Sequence, residues 1–150
     1  MARTRIAALG LALVLSVSGC GGEDDDADQF RDDYNAAVER LSKINSDIGE
    51  ATGEAAGQSN REIAGEFDRI ADTAAKTRSD LSGLEPPEDA EDEFDELLTA
   101  LEKGVSDLRA VAKAARADNP QAAGEAVQSL SESGEQITEA ENALKRAVDG

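Results

Sequence analysis

Apolar residues recur in steps of four and three through most of this chain, and that spacing limits its fold more than any other feature. The clearest run extends from Ile63 to Leu84, with steps of 4-3-4-3-4-3. Such steps place side chains along one side of an α-helix, whereas a half-buried strand alternates at every second residue. Three further runs of the same kind predict four amphipathic helices. The positions expected to face the core are Phe30, Tyr34, Ala37, Leu41, Ile44 and Ile48; Ile63, Phe67, Ile70, Ala74, Thr77, Leu81 and Leu84; Phe94, Leu97, Leu98, Leu101, Val105, Leu108, Ala112 and Ala115; and Ala123, Val127, Leu130, Gly134, Ile137, Glu141, Leu144 and Val148.

Capping and proline signals separate the four runs. Ser59 and Glu62 form a capping-box pattern at the start of the second run. The proline pair at 86–87 cannot continue a helix and suits the start of the next one. The Asn-Pro pair at 119–120 supplies an N-cap and a proline at the first helical position. The predicted helices lie at 28–56, 60–84, 87–117 and 120–148.

Four amphipathic helices with short connections predict an all-α fold, an antiparallel up-down four-helix bundle. Its core would be aliphatic and rich in alanine, and alanine removes little apolar area from water. The aromatic residues are Phe30, Tyr34, Phe67 and Phe94. The alternative architecture is a helical hairpin that completes its bundle by oligomerising.

The N-terminus has the features of an export signal. Arg3 and Arg5 precede an apolar run at 6–17. This run is shorter than the ~20 residues that span a bilayer, but it suits the hydrophobic region of a secretory signal.

The only cysteine, Cys20, ends the sequence Val17-Ser18-Gly19-Cys20. This sequence resembles the lipobox of bacterial lipoproteins, an aliphatic residue and two small residues before a cysteine. The resemblance implies that diacylglycerol alkylates the Cys20 thiol, that residues 1–19 are removed, and that acyl chains such as palmitate hold the protein on the extracytoplasmic face of the cell membrane. The alternative is a plain secretory signal with a chance cysteine.

Three segments follow from this interpretation. They are a lipoprotein signal peptide at 1–19, the lipidated cysteine with a flexible acidic tether at 20–28, and a helical bundle domain at 29–150. Within the domain, "LSGLEPP" at 81–87 resembles a Leu-x-x-Leu-x-Pro-Pro junction of small secreted helical lipoproteins from high-GC Gram-positive bacteria, most of which have no assigned activity.

The composition is strongly acidic, with a formal net charge of −18. Removal of 1–19 would take away two of the fifteen Lys and Arg residues and none of the thirty-three Asp and Glu residues, which leaves −20. Such a charge argues against nucleic acid and anionic lipid surfaces, since both require a basic face. It favours a cationic partner, or only a well-solvated exterior.

The residue types argue against catalysis. The chain has no histidine, which excludes a Ser-His-Asp triad and a Glu-x-x-His di-iron motif. The one thiol is assigned to the anchor, and no phosphate-binding glycine loop is present. A Ser-Lys pair is not excluded, but no pair is marked by its context. We therefore predict a non-enzyme with no catalytic residue, no cofactor and no metal site.

Two acidic segments are candidate cation sites. Asp24, Asp26 and Asp28 match positions 1, 3 and 5 of a calcium loop, but Gln29 and Asn35 stand where glycine and a bidentate glutamate are required. The seven acids at 88–96 are better explained by the positive dipole end of the third helix.

Gly49, Gly53 and Gly57 form a GxxxGxxxG pattern at the end of the first helix. Since Glu50 and Glu54 exclude a membrane helix, either this end packs closely on a neighbour or it frays, and fraying is favoured.

The leading functional prediction is a membrane-anchored cell-envelope lipoprotein that acts as a binding or interaction module, with an envelope protein or a cationic molecule as partner. One alternative is a structural spacer or coiled-coil oligomer resembling murein-type lipoproteins, although Lys145 is not the terminal residue. Another is an acidic protein that binds cations or basic ligands.

Overall fold

The structure is a computed structural model that describes residues 23–149, with side chains from 28 to 148. The predicted all-α four-helix bundle is confirmed. The helices are α1 (Glu23–Glu54), α2 (Asn60–Leu81), α3 (Glu91–Arg116) and α4 (Pro120–Asp149), and short 3-10 turns occupy Ala55–Gly57 and Glu88–Ala90.

Within the described residues, no helix is both long enough and apolar enough to cross a bilayer. The predicted signal at 1–19 and the lipidation site Cys20 lie outside the described residues. Both therefore stay predictions.

Two predicted helix starts are formed as expected. At α2, the Ser59 amide donates to Glu62 Oε2 at 2.8 Å, and the Glu62 amide donates to Ser59 Oγ at 3.4 Å, which completes the capping box. At α4, Asn119 Oδ1 accepts from the Ala122 amide at 3.1 Å, so Asn119 caps the helix that Pro120 begins. These caps satisfy amide groups that have no partner within the helix.

Three boundaries differ from the prediction by three or more residues. α1 begins at Glu23, so residues 23–28 of the predicted tether are helical; their acids lie at the positive end of the helix dipole. The remaining tether residues, 20–22, lie outside the described residues. α2 ends at Leu81 rather than at 84, and α3 begins at Glu91 rather than at 87, because a 3-10 turn replaces the first α-helical turn after the prolines.

α3 is the central helix of the bundle. It packs extensively against α2 on one side and α4 on the other, whereas α1 packs mainly on α2 and has no extensive contact with α4. The largest fully buried side chains are Ile70, Leu81, Leu97, Leu108, Leu144 and Ser133. The core is thus concentrated on both sides of α3.

The N-terminal half of α1 is held by one hydrogen bond to α4 and by aromatic contacts. The Arg31 guanidinium donates to the Val148 carbonyl oxygen. Phe30 packs edge-to-face on Phe94 of α3 with ring centroids 5.5 Å apart, and its ring stacks on that of Tyr34 at 5.8 Å. This aromatic group holds the N-terminal half of α1 on the bundle.

The predicted core stripe of α4 is partly wrong. Val127 is 39% exposed, Gly134 is exposed, and Glu141 is half-buried. The buried positions of α4 are Ala126, Leu130, Ser133, Ala140 and Leu144. α4 is therefore rotated so that its small residues face α3, and the other half of its predicted stripe faces the space beside α1.

Candidate functional site

A groove of about 1230 Å³ lies between α1 and α4. Its size exceeds the ~300–1,000 Å³ of ordinary small-molecule pockets. The floor is the core side of α3, and the walls are the facing sides of α1 and α4. The larger apolar side chains that line it are Val38, Leu41, Ile44 and Ile48 of α1, Leu101, Val105 and Leu108 of α3, and Val127, Leu130 and Ile137 of α4.

The groove exists because α4 packs closely on α3 and is separated from α1. A Cβ atom added at Gly104 of α3 would lie 3.2 Å from Ile137 Cδ1, so this glycine lets the two helices come close. At Gly134, on the groove side of α4, an added Cβ would meet nothing within 4 Å. Gly104 thus lies at a close contact between α3 and α4, whereas Gly134 faces open space on the groove side of α4.

The glycine pattern at the end of α1 does not make a close helix contact. An added Cβ at Gly49, Gly53 or Gly57 would meet nothing within 4 Å. Close packing through these glycines is therefore wrong, and so is the favoured fraying, because the chain is helical through Gly57. α1 stays helical to Glu54 and then passes into the 3-10 turn that contains Gly57, while Gly49 and Gly53 line the groove.

The charged side chains described in the groove are all acidic. Among the described residues, the charged side chains that line it are Glu135, Glu139 and Glu141, all on α4. Within residues 28–148, none of the three forms an ion pair. The groove therefore combines an apolar floor with one acidic wall.

Glu141 is the half-buried member of these three glutamates, whereas Glu135 and Glu139 are exposed. Burial raises the pKa of its carboxyl above the ordinary value, because partial removal from water disfavours the charged form. Burial, and secondarily the negative charge of Glu141, raises the pKa of the Tyr34 phenol to about 12. Tyr34 thus stays protonated near neutral pH and supplies no base.

A polar cluster joins α3 to α4 outside the groove. Lys103 Nζ donates to Ser133 Oγ at 2.6 Å and to Asp107 Oδ2 at 3.0 Å. The hydroxyls of Ser129 and Ser133 donate to the Asp107 carboxylate. Burial opposes ionisation of Asp107, but the hydrogen bonds from Ser133, Lys103 and Ser129 outweigh it and lower its pKa.

Sequence reasoning missed this cluster, although it left a Ser-Lys pair open. Lys103–Asp107 and Ser129–Ser133 each have the i, i+4 spacing that places side chains together on a helix. The geometry does not suit a nucleophile, since Ser133 is 0% exposed and Lys103 donates to it as an ammonium paired with Asp107. The cluster fastens α4 to α3.

The acidic segments do not assemble into a metal site in the described part of the chain, where no three His, Cys, Asp or Glu residues are grouped to hold an ion. Residues 24–35 are helical, so they do not form a calcium-binding loop. Glu91, Asp92 and Glu93 occupy the first turn of α3, where the dipole interpretation placed them, and Phe94 points into the core.

Comparisons with protein-family models, with curated proteins and with solved structures give no match to this chain. Its function is therefore inferred from its own residues.

Proposed function

We propose that this chain is a lipid-anchored protein of the cell envelope that binds a partner in the α1–α4 groove and carries out no chemistry on it. The observation that carries the proposal is the groove itself, an apolar channel whose floor reaches the core side chains of α3. The lipobox-like sequence at 17–20 supports the anchor.

Apolar surface left in contact with water favours an interaction. Val127 is a large aliphatic side chain that is 39% exposed on the groove wall. Covering the groove would bury this side chain and its neighbours, at about 25 cal/mol per Å² of apolar area. Exposed apolar surface with a polar margin is typical of interaction sites.

The packing favours a binding module over a structural spacer. α3 packs against both α2 and α4 within a single chain, and turns near 82–90 and 117–119 reverse its direction. A coiled-coil spacer would instead need an uninterrupted heptad seam along a long helix.

The anchor is tested by Cys20→Ser in the producing cell. We expect loss of labelling by a palmitate analogue, and either an uncleaved precursor or release of soluble protein. Membrane retention and labelling like those of the wild type would contradict the anchor.

The groove is tested with a photo-crosslinking amino acid at Ser131, which lines it, and at Glu132, the next residue on α4, which does not line it. Both positions are exposed, so each tolerates a large side chain. In intact envelopes we expect adducts from position 131 and few from 132. Equal adduct yields at both positions would show that the groove is not the interaction surface.

A further inference from the structure

We propose that the partner in the groove is an amphipathic helix of another protein, with lysine or arginine residues beside its apolar stripe. This inference rests on the proposed function, because it names the partner of the same groove. Its grounds are the shape of the two walls and the charge of one of them.

The walls have the shape that receives a helix. On α1, Leu41, Ile44 and Ile48 recur at steps of three and four, and the wall from Val38 to Gly53 extends about 22 Å at ~1.5 Å per residue. Such rows form ridges between which the side chains of another helix can insert. An apolar groove between helices is a recurring mode of helix recognition.

The backbone can also be approached closely along this channel. Gly49 and Gly53 on α1 and Gly134 on α4 line the groove, and nothing lies within 4 Å of a Cβ placed on any of them. Bulky side chains of an inserted helix can occupy this space without displacing the core.

The charge selects a basic partner. Glu135, Glu139 and Glu141 line the groove without lysine or arginine among the other described lining residues. A partner that carries lysine or arginine along one side of its stripe would meet these three carboxylates. A second copy of this chain, with a formal charge of −18, would instead bring an acidic surface against them.

Glu141 strengthens the case for a cation at one end of the groove. Its half-buried carboxylate loses hydration without gaining an ionic partner within residues 28–148. A lysine or arginine beside it would offset that loss.

The test uses the full chain, reconstituted in phosphatidylcholine nanodiscs, and a fluorescent peptide of about 16 residues, which matches the length of the groove. The peptide carries leucine at steps of three and four and lysine beside that stripe. One control peptide has the same composition in scrambled order, and another has glutamate in place of lysine. Empty nanodiscs correct for binding to lipid.

We expect saturable binding of the basic peptide, no binding of either control peptide, and a loss of affinity when salt is added, since salt screens exposed ion pairs. Ser131→Trp, which fills the groove, should abolish binding, while Glu132→Trp should not change it. Combined Glu135→Gln, Glu139→Gln and Glu141→Gln should weaken binding roughly tenfold, as expected for three partly exposed ion pairs.

Equal binding of the scrambled peptide would contradict recognition through a helical apolar stripe. Equal binding of the glutamate peptide would contradict the preference for a basic partner. A photo-adduct at position 131 that consists of two copies of this chain would also overturn the proposal. Failure of the basic peptide, with position 131 still giving selective adducts in the envelope, would overturn this inference and leave the proposed function standing. Equal adduct yields at positions 131 and 132 would contradict both this inference and the proposed function.

Discussion

The two sides of α4 meet their neighbours in different ways. Towards α3, α4 presents Ala126, Ser133 and Ala140, and the helices come close enough for Gly104 to lie against Ile137. Towards α1, it presents Val127, Gly134 and Glu141 and leaves an open groove. One helix thus carries a closed interface and an open one about 100° apart around its axis.

The difference shows what an interface of small residues requires. Alanine and serine bury little area, so they stabilise only when the helix axes are close enough for backbone and side-chain atoms to pack. Hydrogen bonds from Ser129 and Ser133 to Asp107 also fix the position of α4 relative to α3, because hydrogen bonds require a particular geometry. On the α1 side, three glutamates oppose burial, because each would lose its hydration.

The largest test compares truncation of a fully buried side chain with truncation of a side chain on the groove wall. Leu97→Ala empties a position on α3 that is 0% exposed and should lower the free energy of unfolding by about 2–5 kcal/mol. Val127→Ala removes a side chain that already meets water in the groove, and should cost less than about 1 kcal/mol. Urea unfolding followed by circular dichroism measures both. Similar losses for the two variants would mean that the groove is closed in solution.

The polar cluster offers a second test on α4 itself. Ser133→Ala removes a hydroxyl that bridges Lys103 and Asp107 and should cost about 1–3 kcal/mol near neutral pH. Ser131→Ala, on the groove side, is the matched control and should change stability by less than about 0.5 kcal/mol.

The pH dependence of the cluster has a definite sign. Because the folded pKa of Asp107 is lowered, its stabilising contribution is present above the unfolded aspartate pKa of about 3.9 and is lost as pH falls through the lower folded value. The stability difference between wild type and Ser133→Ala should shrink under those acidic conditions. A difference that stays constant down to pH 2 would mean that Asp107 is not the partner that matters.

A pair of glycine substitutions gives a smaller effect. Gly134→Ala adds a methyl group that meets nothing, and should stabilise the protein by about 0.5–1 kcal/mol through helix propensity. Gly104→Ala gains the same propensity but pushes against Ile137 Cδ1, 3.2 Å away, so its net gain should be smaller. Thermal melts compare them. A greater gain at Gly104 would place the close interface on the wrong side of α4.

The smallest expected effect is at Glu141. Burial raises its folded pKa, so ionisation costs stability above that pKa, and the cost disappears as pH falls towards the unfolded value of about 4.3. Glu141→Gln should therefore raise the melting temperature slightly at pH 7, and the two proteins should converge at acidic pH. Glu132→Gln, at an exposed position outside the groove, should not change the melting temperature in this way.

The helices of this protein are encoded locally. Steps of four and three predicted α2 and its buried face from Phe67 to Leu81, and the caps at Ser59 and Asn119 are formed as the sequence indicated. Propensity, capping and one-sided burial act over a few residues, so they can be recognised in the sequence. The all-α bundle follows from them because each apolar stripe must be covered by another helix.

Tertiary packing decided how α4 is rotated and where the bundle stays open. The apolar stripe predicted through Val127, Gly134 and Glu141 was as regular as the others, but α4 packs with the neighbouring line through Ala126, Ser133 and Ala140. Alanine, serine and glycine carry too little apolar area to reveal that line in the sequence. Its stability comes from the close approach to α3 and from hydrogen bonds to Lys103 and Asp107, and these contacts exist only once residues distant in the chain are brought together.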